Sequence, residues 1–360
     1  MSTAAHAAPP IALYDLDLPT LQALLESWGE PAYRTKQVWE WLYAHLVDDF
    51  EQMSNLPKSL RDKLGRETII DVLNVVDTVR SPDGRTRKDL LELHDGETIE
   101  AVLMRYERRR TACLSTQVGC AMGCPFCATG QMGFRRDLSS GEIVAQALHF
   151  ARQLQGKGER LTNVVLMGMG EPLANYDASL DAVRRLNHPD GFWLGQRHIT
   201  LSTVGLVPQI RRLAGEGLQI TLAVSLHAAT DELRDELVPI NRRYGLDALL
   251  AACAAYAEGT GRRVSFEWAL IEGVNDTPEQ AQALADQLHH SMGRSGGRTL
   301  AHVNLIPLNP AAGYKGVRSR DQAVSAFAAI LDQQGLPYTV RVRRGVGIEA
   351  GCGQLRQRHL

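Results

Sequence analysis

A strand followed by a helix recurs six times between residue 111 and about residue 345, and a seventh strand-like run closes the series. Strand-like runs at 111–117, 161–167, 197–202, 219–225, 263–270, 300–306 and 338–343 alternate with helical periodicity near 139–155, 177–187, 206–216, 246–259, 278–290 and 320–334. Strands separated by helices run parallel, joined by right-handed crossovers. The pattern predicts an α/β fold, a partial or full (β/α) barrel with its chemistry at the carboxyl ends of the strands. Ahead of it, Leu13, Leu16, Leu18, Leu21, Leu24 and Leu25 recur at helical spacing, and Val38, Trp39, Trp41, Leu42 and Leu46 form a second stripe. Strand-like runs at 68–80 and 88–106, with turns at Pro82-Asp83-Gly84 and Asp95-Gly96, predict a meander leading into the barrel. The expected division is a helical accessory domain at 1–66, a strand-rich linker at 67–110, the barrel at 111–345 and a tail at 346–360.

The chemistry is concentrated in cysteine. Of six cysteines, four lie between positions 113 and 127. A secreted disulfide framework spreads its cysteines through a smaller chain, so the clustering points to metal or redox chemistry in a reducing cytoplasm. Cys120, Cys124 and Cys127 follow the first barrel strand with C-x3-C-x2-C spacing. Three thiolates on one loop can hold three irons of a four-iron cluster and leave the fourth iron open. Zinc is the alternative, but it ordinarily takes four ligands, and no fourth partner stands nearby.

Other polar residues fall where the predicted strands end. Gly168-Met169-Gly170-Glu171-Pro172 ends the second strand, where glycine allows close approach of the backbone and a carboxylate can accept from an ammonium. Ser202, then Ser225-Leu226-His227, then Asn309 end later strands; turn and cap roles are the alternative for each. Cys253 sits in an alanine-rich helix and reads as a packed hydrophobe, whereas Cys352 lies between two glycines near the chain end.

The segments Thr111-Ala-Cys113-Leu-Ser-Thr-Gln-Val-Gly-Cys120, Met167-Gly-Met-Gly-Glu-Pro172, Val303-Asn-Leu-Ile-Pro307 and Ala350-Gly-Cys352-Gly-Gln-Leu355 together resemble the RlmN/Cfr family of radical S-adenosylmethionine (SAM) RNA methyltransferases. The resemblance runs from about residue 12 to the end. It implies a radical SAM partial (β/α)6 barrel with a small N-terminal helical accessory domain. It also implies a [4Fe-4S] cluster on Cys120, Cys124 and Cys127, and SAM bound by Gly170, Glu171, Ser202, Ser225, Leu226, His227 and Asn309. In the family, two SAM molecules are consumed per methylation: one methylates a tail cysteine, matched by Cys352, and one is cleaved reductively. Cys113 matches the cysteine that resolves the RNA–protein intermediate by forming a disulfide, and Glu100 matches the proton acceptor; an exposed strand carboxylate is the alternative for Glu100.

The implied reaction is methylation of carbon 2 of adenosine in 23S rRNA, at the peptidyl-transferase centre, and in tRNA, 3′ of the anticodon. An electron donor such as flavodoxin or ferredoxin and a monomeric state are implied as well. Methylation of carbon 8 is the alternative within the family, and a non-catalytic iron–sulfur RNA-binding protein is the alternative of another class. The net charge of −2 gives RNA binding no global support, so it must rest on local groups. Those are Arg105 and Arg108–Arg110, Arg341, Arg343 and Arg344, and Arg34 with Lys36. No run of 18 apolar residues occurs, so no membrane segment is expected. The first ten residues lack a secretory pattern and read as a disordered tail, and Ser295-Gly296-Gly297 reads as a surface loop.

Overall fold

The computed structural model describes residues 10–292, 294–295, 298–341 and 345–356. Most of the expected amino-terminal tail, Gly296 and Gly297, and Arg343 and Arg344 lie outside the described residues.

One ten-stranded sheet organises the molecule, and its spatial order is the chain order. The strands are β1 (Leu73–Arg80), β2 (Thr86–Leu93), β3 (Thr98–Arg105), β4 (Arg110–Cys113), β5 (Asn163–Leu166), β6 (Ile199–Thr203), β7 (Thr221–Ser225), β8 (Val264–Leu270), β9 (Ala301–Pro307) and β10 (Tyr338–Val340). Strands β1 to β4 pair antiparallel, and every pairing from β4 to β10 is parallel. The second edge of β4 is taken by β3, so the parallel strands curl without closing on themselves. The result is a partial (β/α)6 barrel whose sheet is continued by the meander. Strand β8 is buried at all seven positions, the signature of a parallel strand covered on both faces.

Among the described residues three α-helices precede the sheet: α1 (Leu18–Ser27), α2 (Tyr33–Tyr43) and α3 (Lys58–Glu67). Asp17 caps α1 by accepting from the Thr20 amide at 2.9 Å. The leucines of α1 and α3 close on Val38, Trp39, Leu42 and Tyr43 of α2, and this core runs without a break into that of the barrel. Two arginines on barrel helices fasten the junction. Arg152 of α4 (Ser140–Gln155) donates to the Tyr14 hydroxyl at 2.7 Å, and Arg185 of α5 (Tyr176–Asn187) donates to the Tyr14 carbonyl.

The expected strand at 111–117 stops at Cys113. Beyond it the backbone turns to bond with side chains: the Ser115 amide donates to Gln146 Oε1 at 2.8 Å, and Gln146 Nε2 donates back to the Ser115 carbonyl. The helix at Asp231–Leu237 falls outside the expected helical segments. Among the described residues, no helix is long and apolar enough to cross a membrane.

Candidate active site

Every parallel strand from β4 to β9 delivers a polar or sulfur-bearing residue to the same end of the sheet. The chain leaving β4 forms the loop that carries Cys120, Cys124 and Cys127. A small antiparallel pair, Gln117–Gly119 with Phe134–Asp137, ties off its base, and the Cys120 amide donates to the Gly133 carbonyl at 2.8 Å. Gly119 has a φ of +77°, and a Cβ there would fall 1.9 Å from the Gly133 carbonyl oxygen. Backbone cannot yield as a flexible side chain would, so Gly119→Ala is expected to cost about 3 kcal/mol or more and to displace the cysteine loop. Iron content after anaerobic reconstitution and the thermal midpoint measure this together; unchanged values for both would refute it.

The loop covers a cavity of about 160 Å³. Cys120, Cys124, Cys127, Gly170, Glu171, Ser202, Ser225, His227, Asn309 and Cys352 all line it. Leu226 does not: its side chain is fully buried in the core. Glu171 is buried, and its two carboxylate oxygens accept from the amides of Leu173 and Val204 at 3.0 and 2.8 Å. Burial pushes its carboxyl up to about 7 against the pull of those amides. His227 occupies the left-handed region at φ +60°. Its Nδ1 accepts from the Ala269 amide at 2.9 Å, which places the proton of the neutral ring on Nε2. Burial, reinforced by the Arg234 cation, lowers His227 to about 3, so the ring stays neutral.

Cys113 and Glu100 stand beside this cavity rather than in its wall. They lie on adjacent strands, where Cys113 is in register with Val102 and Glu100 with Leu90, so both project from the same face of the sheet. The Cys113 thiol is pushed up to about 12 by burial and by the neighbouring Cys352 thiol. Glu100 is almost fully buried, which removes the exposed-carboxylate alternative. The tail bearing Cys352 is held from several sides. Asn309 Nδ2 donates to the Cys352 carbonyl at 3.2 Å, the Ala128 amide to the Gly353 carbonyl at 2.8 Å, and Gln354 Nε2 to the Pro310 carbonyl at 2.9 Å. Cys253 is fully buried in the core.

The three loop cysteines suit a cluster better than a single ion. Among the described residues, no three His, Cys, Asp or Glu side chains converge closely enough to hold one metal ion. The three thiols instead surround a shared space, as ligands to separate irons must. Two charged residues at the cavity escaped sequence reasoning. Glu267 of β8 lines it, with Oε1 accepting from Asn304 Nδ2 at 2.7 Å and Ser265 Oγ at 3.0 Å. A lone carboxylate inside the otherwise uncharged strand Val264–Leu270 was the available signal. Arg234 lies beneath, fully buried, and nothing in its charged local sequence marks it.

Residues 11–70 match the ribosomal RNA large subunit methyltransferase N-terminal domain, and residues 114–286 match the radical SAM superfamily. The probable dual-specificity RNA methyltransferase RlmN of Chloroflexus aurantiacus is 52% identical over 352 residues, covering 96% of this chain and 93% of that one. The chain belongs to the RlmN family of radical SAM RNA methyltransferases. The dual-specificity RNA methyltransferase RlmN 1 of Myxococcus xanthus is likewise 52% identical, covering 96% of this chain and 94% of the relative. The crystal structure of a radical SAM methyltransferase from Sphaerobacter thermophilus superposes with a TM-score of 0.91 at 49% identity, over 96% of this chain and 99% of that one. Membership in the RlmN family implies a [4Fe-4S] cluster, SAM and an RNA substrate.

Much of the expected basic rim is internally compensated in this RlmN family member. Arg105 and Arg110 both pair with Glu159 at 2.9 Å, and Arg341 lies 3.6 Å from Glu267. Arg34 is turned toward Glu30 at 3.7 Å and Lys36 toward Asp190 at 3.3 Å. Arg108 and Arg109 remain exposed beside the strand that feeds the cysteine loop, with Arg109 over the Tyr106 ring.

Proposed function

We propose that this enzyme methylates carbon 2 of adenosine in 23S rRNA and in tRNA through a methylated cysteine. The observation that carries the reading is the placement of Cys352. Its carbonyl accepts from Asn309, the adjoining Gly353 carbonyl accepts from the Ala128 amide just after the cysteine loop, and Cys352 lines the same cavity as the three loop cysteines. A scaffold that merely bound RNA would have no need of a thiol there.

Cys120, Cys124 and Cys127 would hold the cluster. Gly170, Glu171, Ser202, Ser225, Leu226, His227 and Asn309 would receive SAM, Leu226 through its backbone. When bound, the cluster and SAM supply the radical chemistry that an electron-poor amidine carbon requires, because that carbon does not attack a methyl sulfonium as a nucleophile. The protein's own residues do the rest. Cys352 carries the methyl group on sulfur to the base. Glu100 accepts the proton that the ring carbon loses. Cys113 attacks the Cys352 sulfur, frees the methylated RNA and leaves a disulfide. The names of the relatives, which specify dual specificity, support two RNA substrates. A flavodoxin- or ferredoxin-type protein would deliver electrons to a monomeric enzyme.

The test is anaerobic reconstitution with labelled SAM, a reductant and ribosomal RNA or tRNA, with the product nucleoside identified by mass spectrometry. 2-Methyladenosine from both RNAs is expected. 8-Methyladenosine would refute the regiochemistry, and cofactor cleavage without RNA modification would refute the substrate.

A further inference from the structure

Lys88 sits in β2 within Arg87-Lys88-Asp89, a stretch that reads as a solvated strand face, yet it is 2% exposed. Its Nζ lies 2.9 Å from Glu100 Oε1 and donates to the Glu349 carbonyl at 3.0 Å. Glu100 Oε2 accepts from the backbone amide of Arg356 at 3.0 Å. The Arg356 guanidinium reaches back to the Glu349 carboxylate, also at 3.0 Å. One buried ion pair therefore holds the tail at two points, three residues before Cys352 and four residues after it.

A lysine ammonium this deep has lost its water and persists only where partners replace it. Joining β2 to β3 does not require it, because seven consecutive residue pairs already lock those strands in register. What Lys88 adds is a link from the sheet to the tail. Its neighbour Arg87 turns instead to Asp89 at 2.7 Å and takes no part.

We propose that Lys88 is a positioning residue which, paired with Glu100, sets the register of the 349–356 tail and so the place of Cys352 beside Cys113 and the cavity. The inference rests on the roles given above to Glu100 and Cys352. It adds that the proton acceptor and the methyl carrier are held by one neutral ion pair, so a change in either alters the other's position.

The test is backbone hydrogen exchange, read by mass spectrometry on the full chain without cofactor or RNA, for wild type, Lys88→Met and Lys88→Arg. In Lys88→Met, the amides at 349–356 are expected to exchange about tenfold faster or more, as loss of a charge-assisted hydrogen bond predicts, while those of β3 and β4 stay protected. Lys88→Arg, which keeps charge and donors, is expected to retain tail protection. In the reconstituted enzyme, Lys88→Met is expected to cleave more SAM per methyl group transferred, because cleavage needs the cavity and transfer needs the tail. Unchanged tail protection in a folded Lys88→Met would overturn the proposal. So would a loss spread evenly over the sheet, which would mark the pair as purely structural. If Lys88→Met does not fold, Lys88→Gln, which keeps a donor without the charge, is read in the same way. The exchange readout uses no chemistry, so its failure is distinct from a wild-type enzyme that leaves RNA unmodified.

Discussion

Cys352→Ala is expected to lower RNA methylation by about 10³-fold or more, while iron content, SAM binding and SAM cleavage persist. The selectivity follows from how the tail is anchored. Its bonds run from the Asn309 amide, the Ala128 amide and Gln354 to backbone carbonyls, and from the Gly351 amide to Gln354 Oε1 at 3.0 Å. None of these uses the Cys352 side chain, and the residue is exposed, so alanine removes one sulfur and leaves no buried void. Product analysis beside a SAM-cleavage assay separates the two activities. Methylated RNA from Cys352→Ala at more than a small fraction of the wild-type rate would refute the methyl-carrier role. Loss of cleavage together with methylation would mean that Cys352 supports the cavity itself.

The residues that could be read from sequence are those whose meaning is local. Three cysteines at short spacing, a Gly-Met-Gly-Glu turn and a cysteine between two glycines each declare themselves within a dozen positions. The strand–helix alternation likewise sufficed for the parallel order of the barrel strands, which follows from right-handed crossovers, but it left open whether the barrel closes. What could not be read depends on register and on distant partners. Lys88 and Glu100 come together through β2–β3 pairing, and Lys88 meets Glu349 far along the chain. The arginine run at 105–110 counts as four cations in sequence, but Glu159 from beyond the next helix takes two of them. Leu226 lies between two cavity residues, yet alternation along the chain turns its side chain into the core.

Arg234 is the furthest from sequence reach, and a large stability effect is expected there. Its Nε donates to the Leu226 carbonyl at 3.1 Å and its Nη1 to Asn241 Oδ1 at 2.8 Å. Its Nη2 donates to the carbonyls of Val204 at 2.7 Å and Ser225 at 3.1 Å. All four acceptors are neutral oxygens, and three belong to the loops that end β6 and β7 at the cavity. Burial lowers the guanidinium only to about 10, so it remains a cation at neutral pH. Arg234→Met removes a costly buried charge, which is favourable, but strips hydrogen bonds from four acceptors, of which the Leu226 carbonyl and Asn241 Oδ1 are buried and the Val204 and Ser225 carbonyls partly buried. The second effect dominates, because each buried acceptor left without its donor costs about 1–3 kcal/mol. A net loss of about 3 kcal/mol or more is expected, seen as a fall of roughly 5–10 °C in the thermal midpoint. SAM affinity is expected to weaken about tenfold as the Ser225 and Val204 backbones relax. Arg212→Met is the control: Arg212 is 56% exposed in its ion pair with Asp177, and its loss is expected to leave the thermal midpoint nearly unchanged. Equal midpoints for the two variants would show that the Arg234 hydrogen bonds are replaceable, and that the β6 and β7 loops hold their shape without them.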